Sequence, residues 1–419
     1  MEIQIPLKPF SYCFYDLTDR ENNFVRYFNG VNLHNIKPVI ERYYPGVGPK
    51  GYGSSLILSR ILKVKEVFIS DRNLAEKLRK NELYRIVCRV KKSNIPAHNT
   101  YNTLRNKLGI WGFIEIHTNF VKEAYSLGLL DPDIPQLPKN RRNGIILIAD
   151  STMIKAYNST KAKKLPDGTW LFTDSSLAFG RPHHKYPVGH KAHSLISVTG
   201  IPTVSLVAAN NIHDQYYIIP LLDEFRRRYP EIKVAYIILD KGYDNEIIYR
   251  IIYESYGIIL IIIRKKIVYP KGFTKDGISL CPFGYPMKRK VIDYKRQRTK
   301  YACDRRCLNE KQLLLNICTH LKSGSIHGLI RYAYFKDDYR KFGPALPNTL
   351  VYQKLKPYRT AIERNYGLVK ENRYRLEYTN TYKGFRNVLI HVIEHDITLT
   401  QDVIFNFKRT GKISFVIKT

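Results

Sequence analysis

The amino-acid sequence predicts an α/β protein in which a sheet of mixed strand direction is flanked by helices. Apolar runs that end in polar residues, at 144–150 and 234–240, indicate buried strands. Helical patterns alternate with such runs, as is typical of an α/β sheet. We predict four regions in the chain of 419 residues: a helical N-terminal region at 1–140, the first part of the sheet domain at 141–264, a basic, β-rich, Cys-containing insertion at 265–350, and the final helices of the sheet domain at 351–419.

The first region is predicted to be helical from about Ser54, because apolar residues recur there at helical spacing. Ser70 is placed to cap a helix that runs to Lys80, and Gly109 is expected to end a later helix. A polar, proline-rich stretch at 132–139 has the composition of a linker. A helical region of this kind can present a helix to the major groove of DNA or hold two subunits together, and the sequence leaves both roles open.

Five segments of the second region are predicted to be strands. They lie at 144–150, 189–198, 202–209, 234–239 and 258–263. The strand at 144–150 ends in Asp150, and the strand at 234–239 is followed directly by Asp240. Helices are predicted to begin near Asp214 and Asp244, and we interpret both side chains as N-caps because Asp is preferred at that position.

The third region consists of short β-like runs rich in Lys, Arg and Tyr, and it holds four of the six cysteines. Cys303 and Cys307 have a workable spacing for zinc ligands, and Cys281 and Cys318 would complete a tetrahedral, structural Zn²⁺ site. The alternative is four unconnected thiols in a reducing cytosol, since the pattern lacks two tight CxxC pairs.

The charge of the chain is strongly positive. Lys and Arg number 69 against 36 acidic residues, which gives a formal charge of +33 and favours a polyanionic partner such as DNA. An anionic membrane is a weaker alternative, because the most apolar stretch, at 257–263, is far shorter than the roughly 20 residues of a membrane helix. No charged and then apolar leader opens the sequence, so we expect a cytoplasmic protein without a membrane partner.

Arg359, Glu363 and Lys370 are predicted to share one face of a late helix, because spacings of four and seven residues approximate whole helical turns. A helix face with a carboxylate between two cationic side chains suits a metal site that binds a phosphodiester. Asp150 and Asp240 are the candidate partner carboxylates, although either alone could simply cap a turn at the end of a strand. Three converging carboxylates repel one another and need a hard divalent cation such as Mg²⁺.

At these residues the chain resembles prokaryotic insertion-sequence transposases of the DDE class, in the branch with a Tyr-x2-Arg-x3-Glu-x6-Lys signature. Arg359-x3-Glu363-x6-Lys370 matches that spacing, and the sequences that follow Asp150 and Asp240 are similar to those at the first and second aspartates of the family. The signature tyrosine is replaced by Lys356. The resemblance implies an RNase H-like core, with two strand-borne aspartates followed by a helix that carries the glutamate.

The resemblance also implies an enzyme that binds the terminal inverted repeats of its own element, cleaves DNA and transfers the 3′ ends to a target. Asp150, Asp240 and Glu363 would hold two Mg²⁺ or Mn²⁺ ions, with Asp150 bridging both. The implied partners are double-stranded DNA and a second subunit, in the nucleoid. The candidate DNA contacts are Arg359, Lys370, Lys356, Lys241 and Lys191. The alternatives are a catalytically silent, domesticated DNA-binding protein and an RNase H-like nuclease without strand transfer.

Overall fold

The computed structural model describes most of the chain. The described residues are 19–43, 52–134, 137, 143–157, 162–168, 170–180, 188–263, 267–303, 329–347, 349–367, 369 and 373–413. The strands are β1 (Ile145–Lys155), β2 (Ala162–Lys164), β3 (Trp170–Phe172), β4 (Ala178–Phe179), β5 (Val188–Ser197), β6 (Pro202–Ala209), β7 (Val234–Leu239), β8 (Ile259–Ile262), β9 (Lys288–Asp293), β10 (Arg298–Ala302) and β11 (Ile330–Tyr334). The α-helices are Asp19–Asn29, Lys37–Tyr43, Ser55–Lys65, Asp71–Lys80, Glu82–Cys88, His98–Ser126, Ile218–Arg228, Glu246–Tyr256, Tyr339–Phe342, Leu350–Leu355, Arg359–Gly367 and Gly384–Thr410. Among these described helices, none combines the length and the apolar character that crossing a bilayer requires.

The described residues form two compact units. One unit takes the described residues of Met1–Ala124 and Leu368–Ser414, and the other takes those of Tyr125–Gly367. The first unit is helical, and the second carries all the strands described above. The predicted region 351–419 is therefore divided between the two units near residue 367.

The main sheet has six strands of mixed direction. β5 pairs antiparallel with β1 and β6, whereas β7 pairs parallel with β1 and β8. The order across the sheet is thus β6, β5, β1, β7 and β8, and the short β4 also pairs with β5. The Ile218–Arg228 helix contacts β5 and β6, and the Glu246–Tyr256 helix contacts β8. This arrangement confirms the predicted mixed sheet flanked by helices, and it is consistent with an RNase H-like fold.

One face of the main sheet carries an apolar cluster that also receives the Arg359–Gly367 helix. Side chains alternate between the two faces along a strand, so residues two apart on β1 and on β7, together with one residue of β5, contribute to this cluster. The members from these strands and from the helices above them include Ile146, Ile148, Ile196, Tyr236, Ile238, Tyr352, Leu355 and Ile362. Full burial of an aliphatic side chain stabilises a fold by about 1.5–3 kcal/mol, so the cluster fixes the helix over this face of the sheet.

The insertion contains a separate antiparallel sheet, in which β10 lies between β9 and β11. Its core is small and is formed by Met287, Tyr301, Ala333 and Phe342, with Cys281 packed against them. Tyr332 and Tyr334 alternate with Ala333 along β11 and are exposed. The predicted β-rich insertion before the Arg359–Gly367 helix is therefore present.

The helical unit agrees with the predicted local signals. The Ser70 Oγ accepts a hydrogen bond from the Asn73 N–H at 3.1 Å and caps the Asp71–Lys80 helix, as predicted. Gly109 has φ 59°, a non-helical value, and therefore interrupts the His98–Ser126 helix with a kink. Glycine suits this position because the conformation is strained for other residues.

A buried ionic network connects the N-terminal helices of the first unit to its Gly384–Thr410 helix. Arg60 donates from Nε and Nη2 to Glu394 at 2.7 and 2.5 Å, and it also contacts Asp71. The side chains of Arg60 and Glu394 are both 2% exposed. Arg105 lies 3.3 Å from the same carboxylate. Since buried charges are costly without a partner, each of these groups depends on the others being present.

Glu394→Ala should lower the free energy of unfolding by about 3–5 kcal/mol, because it leaves two buried guanidinium groups without their shared carboxylate. Urea denaturation followed by circular dichroism measures this change. Glu76→Ala is the matched control, since Glu76 forms an exposed pair with Lys80 on one helix and its loss should leave stability almost unchanged. Equal effects of the two substitutions would contradict a central role for the buried network.

Candidate active site

Asp150 and Asp240 lie side by side on neighbouring parallel strands. Ala149 of β1 pairs with Leu239 of β7, and each aspartate is the next residue. Ile148 and Ile238 stand two residues before them in the cluster beneath the Arg359–Gly367 helix. By the alternation of side chains, both aspartates point to this same face of the sheet. The two carboxylates are therefore brought together by strand register.

Glu363 lies near Asp240 because the Arg359–Gly367 helix, which carries it, packs over this face of the sheet. Ile362 packs in the apolar cluster, and its neighbour Glu363 has a side chain that is 52% exposed. Arg359 Nη1 lies 2.9 Å from Glu363 Oε1, and its Nη2 lies 3.1 Å from Asp240 Oδ1. One guanidinium group thus bridges Asp240 and Glu363, and the predicted shared face of Arg359 and Glu363 is confirmed.

Tyr366 also connects the helix to the first aspartate, although no sequence pattern singles it out. Its hydroxyl donates to the main-chain carbonyl oxygen of Asp150 at 2.8 Å. Tyr366 lies one turn beyond Ile362, and a tyrosine at that position is easily interpreted as ordinary packing. The bond fixes the helix against β1 at the position of Asp150.

β1 is longer than predicted and continues past Asp150 to Lys155. The extension pairs only with β5, as far as Lys155 and Gly189, whereas the pairing with β7 stops at Ala149. Asp150 therefore lies where the two neighbouring strands separate, which leaves room for its side chain beside Asp240.

Asp150 lies in an environment that disfavours its charge. Burial raises the pKa of this carboxyl to about 6; the Ser151 N–H and Arg359 act in the opposite direction, and the charges of Asp214 and Asp240 add to the increase. The Ser151 N–H donates to Asp150 Oδ1 at 2.8 Å. The burial of Tyr243, near the same carboxylates, likewise raises the pKa of its hydroxyl well above the usual range. Negative charge is concentrated at this site, and positive charge stabilises it.

The donor set of the site suits a hard divalent cation, because Asp150, Asp240 and Glu363 offer only carboxylate oxygens. Within the described ranges, no three or more His, Cys, Asp or Glu side chains are already spaced as metal ligands. Arg359 lies between Asp240 and Glu363, so a cation can bridge these two carboxylates only after the guanidinium group swings aside. The residues therefore fit such an ion on the condition that Arg359 moves.

Asp214 and Asp244 do not cap helices as predicted. His213 caps the 3-10 turn Asp214–Tyr216, and Asn245 caps the Glu246–Tyr256 helix. Asp244 is buried instead and accepts bonds from Arg340 at 3.0 and 2.8 Å. Asp214 accepts from the Ser151 hydroxyl at 2.8 Å, beside Asp150. Both carboxylates have partners that are distant in sequence, and for this reason local capping patterns assigned them wrongly.

The five candidate DNA contacts have different environments. Arg359 bridges the two carboxylates described above, and Lys191 donates to Asp214 at 3.1 Å and to the Ile212 carbonyl oxygen at 3.0 Å. Lys241 directly follows Asp240 and is exposed, as is Lys356 in the turn before the Arg359–Gly367 helix. Lys370 lies outside the described residues. Their contacts with DNA stay a prediction.

The proposed zinc site has no support. Cys281 packs against the apolar core of the insertion, and Cys307 and Cys318 lie outside the described residues. Cys303 lies at the end of β10, where its N–H donates to the Leu329 carbonyl oxygen at 2.9 Å. None of the described cysteines belongs to a cluster of metal ligands.

Asp150→Asn should stabilise the protein at pH 8 in the absence of divalent cations. The folded-state pKa of about 6 exceeds the ordinary value of 3.8, so ionised Asp150 destabilises the fold above pH 6. At about 1.4 kcal/mol per pKa unit, the variant should gain roughly 2–3 kcal/mol at pH 8. The gain should shrink as the pH falls below 6 and be well under about 1 kcal/mol at pH 4, where the carboxyl is protonated in the folded state and only partly ionised in the unfolded state.

Urea unfolding at pH 8 and pH 4, in the presence of EDTA, measures this difference. Asp276→Asn is the control, because Asp276 is an exposed carboxylate of the same unit. A variant that is less stable than the wild-type protein at pH 8 would contradict the electrostatic description of the site.

Comparison with known proteins assigns the chain to a family. No curated protein matches the chain significantly. A solved structure of a piggyBac transposase synaptic complex with hairpin DNA is 10% identical to the chain, covers 96% of it and 78% of its own length, and has a TM-score of 0.31. A likeness at that level establishes no common mechanism. The family model described as the transposase DDE domain matches residues 141–393, which is more than half of the chain. This match confirms the predicted DDE transposase class, and the chain belongs to the transposase DDE domain family.

Proposed function

We propose that the protein is an active DNA transposase of a prokaryotic insertion sequence, in the branch with the Tyr-Arg-Glu-Lys signature. It would bind the terminal inverted repeats of its own element as a homodimer, cleave the strands and transfer the 3′ ends to a target. It would act in the cytoplasm, at the nucleoid. Lys356 stands at the signature tyrosine, so this branch assignment rests on Arg359, Glu363 and the spacing to Lys370.

The observation that carries this proposal is the convergence of Asp150, Asp240 and Glu363 on one face of the sheet. The two aspartates come from adjacent strands, and the glutamate comes from the helix packed above them. Arg359 contacts two of the three carboxylates. A residual DNA-binding protein has no use for such a concentration of carboxylates, at which burial, together with the charges of Asp214 and Asp240, raises the pKa of Asp150 to about 6.

Asp150, Asp240 and Glu363 are the residues that would hold divalent cations, Mg²⁺ or Mn²⁺. When bound, two such ions supply activation of the attacking water or 3′-hydroxyl and stabilisation of the leaving 3′-oxygen. The protein contributes the fixed carboxylates, and the exposure of Glu363 leaves this side of the site accessible to a DNA backbone. Asp150, with a pKa of about 6, is ionised at neutral pH and above, as a ligand for a cation must be.

Arg359 would have two positions in this mechanism. It bridges Asp240 and Glu363, and its bidentate guanidinium group also matches the geometry of a phosphate. With Asp240 and Glu363 engaged as metal ligands, Arg359 would contact a phosphate of the bound strand instead. Lys241 and Lys356 are exposed and would contribute further charge to the flanking phosphates.

The insertion supports a nucleic acid as the partner. On the exposed face of its sheet, the Arg298 guanidinium group lies 3.9 Å from the centre of the Tyr332 ring. Lys300 pairs with Tyr332 across the strands, and Arg298 pairs with Tyr334. Cations beside exposed aromatic rings suit a nucleic acid, because they contact phosphates and bases together. The net charge of +33 also favours binding to the phosphates of a nucleic acid.

Asp240→Asn should reduce Mg²⁺-dependent cleavage of element-end DNA by about a thousandfold or more, because a metal-held site supplies several kcal/mol of transition-state stabilisation. Binding of the same DNA should be almost unchanged, since Asp240 carries no positive charge. Gel assays of cleavage and of binding measure the two effects. Asp223→Asn is the matched control, because Asp223 is exposed and accepts only a tyrosine hydroxyl on the helical surface.

A supplied DNA with a free 3′-hydroxyl end distinguishes the transposase from a nuclease, because only a transposase joins it to target DNA. Cleavage without joined products would indicate the nuclease. Binding without Mg²⁺-dependent cleavage by the wild-type protein would indicate a silent DNA-binding protein, and unchanged cleavage by Asp240→Asn would refute the residue assignment.

A further inference from the structure

The 3-10 turn Asp214–Tyr216 lies behind the site, on the reverse face of the sheet. Asp150 points to the face covered by the Arg359–Gly367 helix, so Ser151, the next residue, points to the opposite face. Ser151 pairs with His193 across β1 and β5, and residues paired in this way share a face. The reverse face therefore carries a polar group directly behind Asp150.

Asp214 connects the two strands on that face. Its Oδ1 accepts from the Ser151 hydroxyl at 2.8 Å and from Lys191 Nζ at 3.1 Å. Lys191 also donates to the Ile212 carbonyl oxygen at 3.0 Å, which holds the segment before the turn. A carboxylate shared by residues of β1 and β5 limits how far Ser151, and with it the backbone of Asp150, can move.

The next residue of the turn reaches the second aspartate. Gln215 Nε2 donates to the main-chain carbonyl oxygen of Gly242 at 2.5 Å. Gly242 lies in the turn Lys241–Tyr243, which Asp240 opens. One short turn therefore touches a residue adjacent to Asp150 and a residue two positions beyond Asp240.

The charges behind the site are arranged around Asp214. His193 stacks on Tyr217 with 4.3 Å between ring centres, and its Nδ1 lies 3.7 Å from Asp214 Oδ1. Burial lowers the pKa of His193 to about 4, against the effect of Asp214, so the ring is neutral at physiological pH. Lys191 is therefore the charged partner of Asp214, and the hydrogen bond from Ser151 adds a neutral contact.

We infer that the Asp214–Tyr216 turn positions the two catalytic aspartates, Asp214 through Ser151 and Gln215 through Gly242. The inference rests on the proposed function and names residues that assist it without touching DNA or cations. Carboxylates that repel one another separate unless their backbones are held, and the turn holds both from behind. Groups that orient metal ligands in this way typically change metal affinity by about 10–100-fold when they are lost.

The test measures Mn²⁺ binding to the full-length protein without DNA, by electron paramagnetic resonance. Asp214→Ala and Ser151→Ala should each weaken the affinity by about 10-fold or more. The double variant should be little weaker than either single variant, because both remove the same contact. Gln215→Ala should weaken affinity through the second aspartate, and its effect should add to that of Ser151→Ala. Asp223→Asn, on the helix that follows the turn, should bind like the wild-type protein.

Circular dichroism and thermal unfolding separate positioning from folding. If Asp214→Ala unfolds, the smaller change Ser151→Ala decides the question. Folded Ser151→Ala and Gln215→Ala variants with wild-type Mn²⁺ affinity would overturn the inference while leaving the proposed function intact, provided that Asp150→Asn abolishes binding. Wild-type affinity in Asp150→Asn, or no binding by the wild-type protein, would overturn the proposed function and this inference with it.

Discussion

The constraint on which the site depends is the repulsion around the buried carboxylate of Asp150, whose pKa is raised to about 6 by burial and by the charges of Asp214 and Asp240. Asp150 and Asp240 are adjacent because their strands are adjacent, and Glu363 faces them because Ile362 anchors its helix in the core. Positive charge must offset this repulsion, and Arg359 supplies it by contacting Asp240 and Glu363 together. Asp240 and Glu363 would hold metal ions only once Arg359 has left them.

The sheet makes this arrangement rigid. β1 is paired on both sides up to Ala149, and beyond that point only β5 supports it. Tyr366 contacts the backbone of Asp150 from the face covered by the Arg359–Gly367 helix, and Ser151 contacts Asp214 from the reverse face. Asp150 is thus held from both faces at the place where β7 stops pairing with β1. A site whose charges repel one another needs such supporting contacts to keep its side chains in position.

Much of the fold and the central part of the site were predictable from the sequence, because local patterns determine them. The apolar runs before Asp150 and Asp240 and the four-residue spacing of Arg359 and Glu363 are local signals, and β6 lies within its predicted bounds of 202–209. Partners distant in sequence were not predictable. Asp214 precedes a helix and resembles a cap, yet it bonds to Ser151, which is 63 residues earlier. Capping preferences describe neighbours along the chain, whereas tertiary contacts decide the role of such a side chain.

The most direct test of this account is the anomalous diffraction of Mn²⁺ in crystals of the protein bound to its element-end DNA. We expect manganese in contact with Asp150, Asp240 and Glu363, and Arg359 turned from Asp240 to a DNA phosphate. Manganese bound elsewhere, or Arg359 still bridging Asp240 and Glu363 with no metal at these carboxylates, would contradict the central claim.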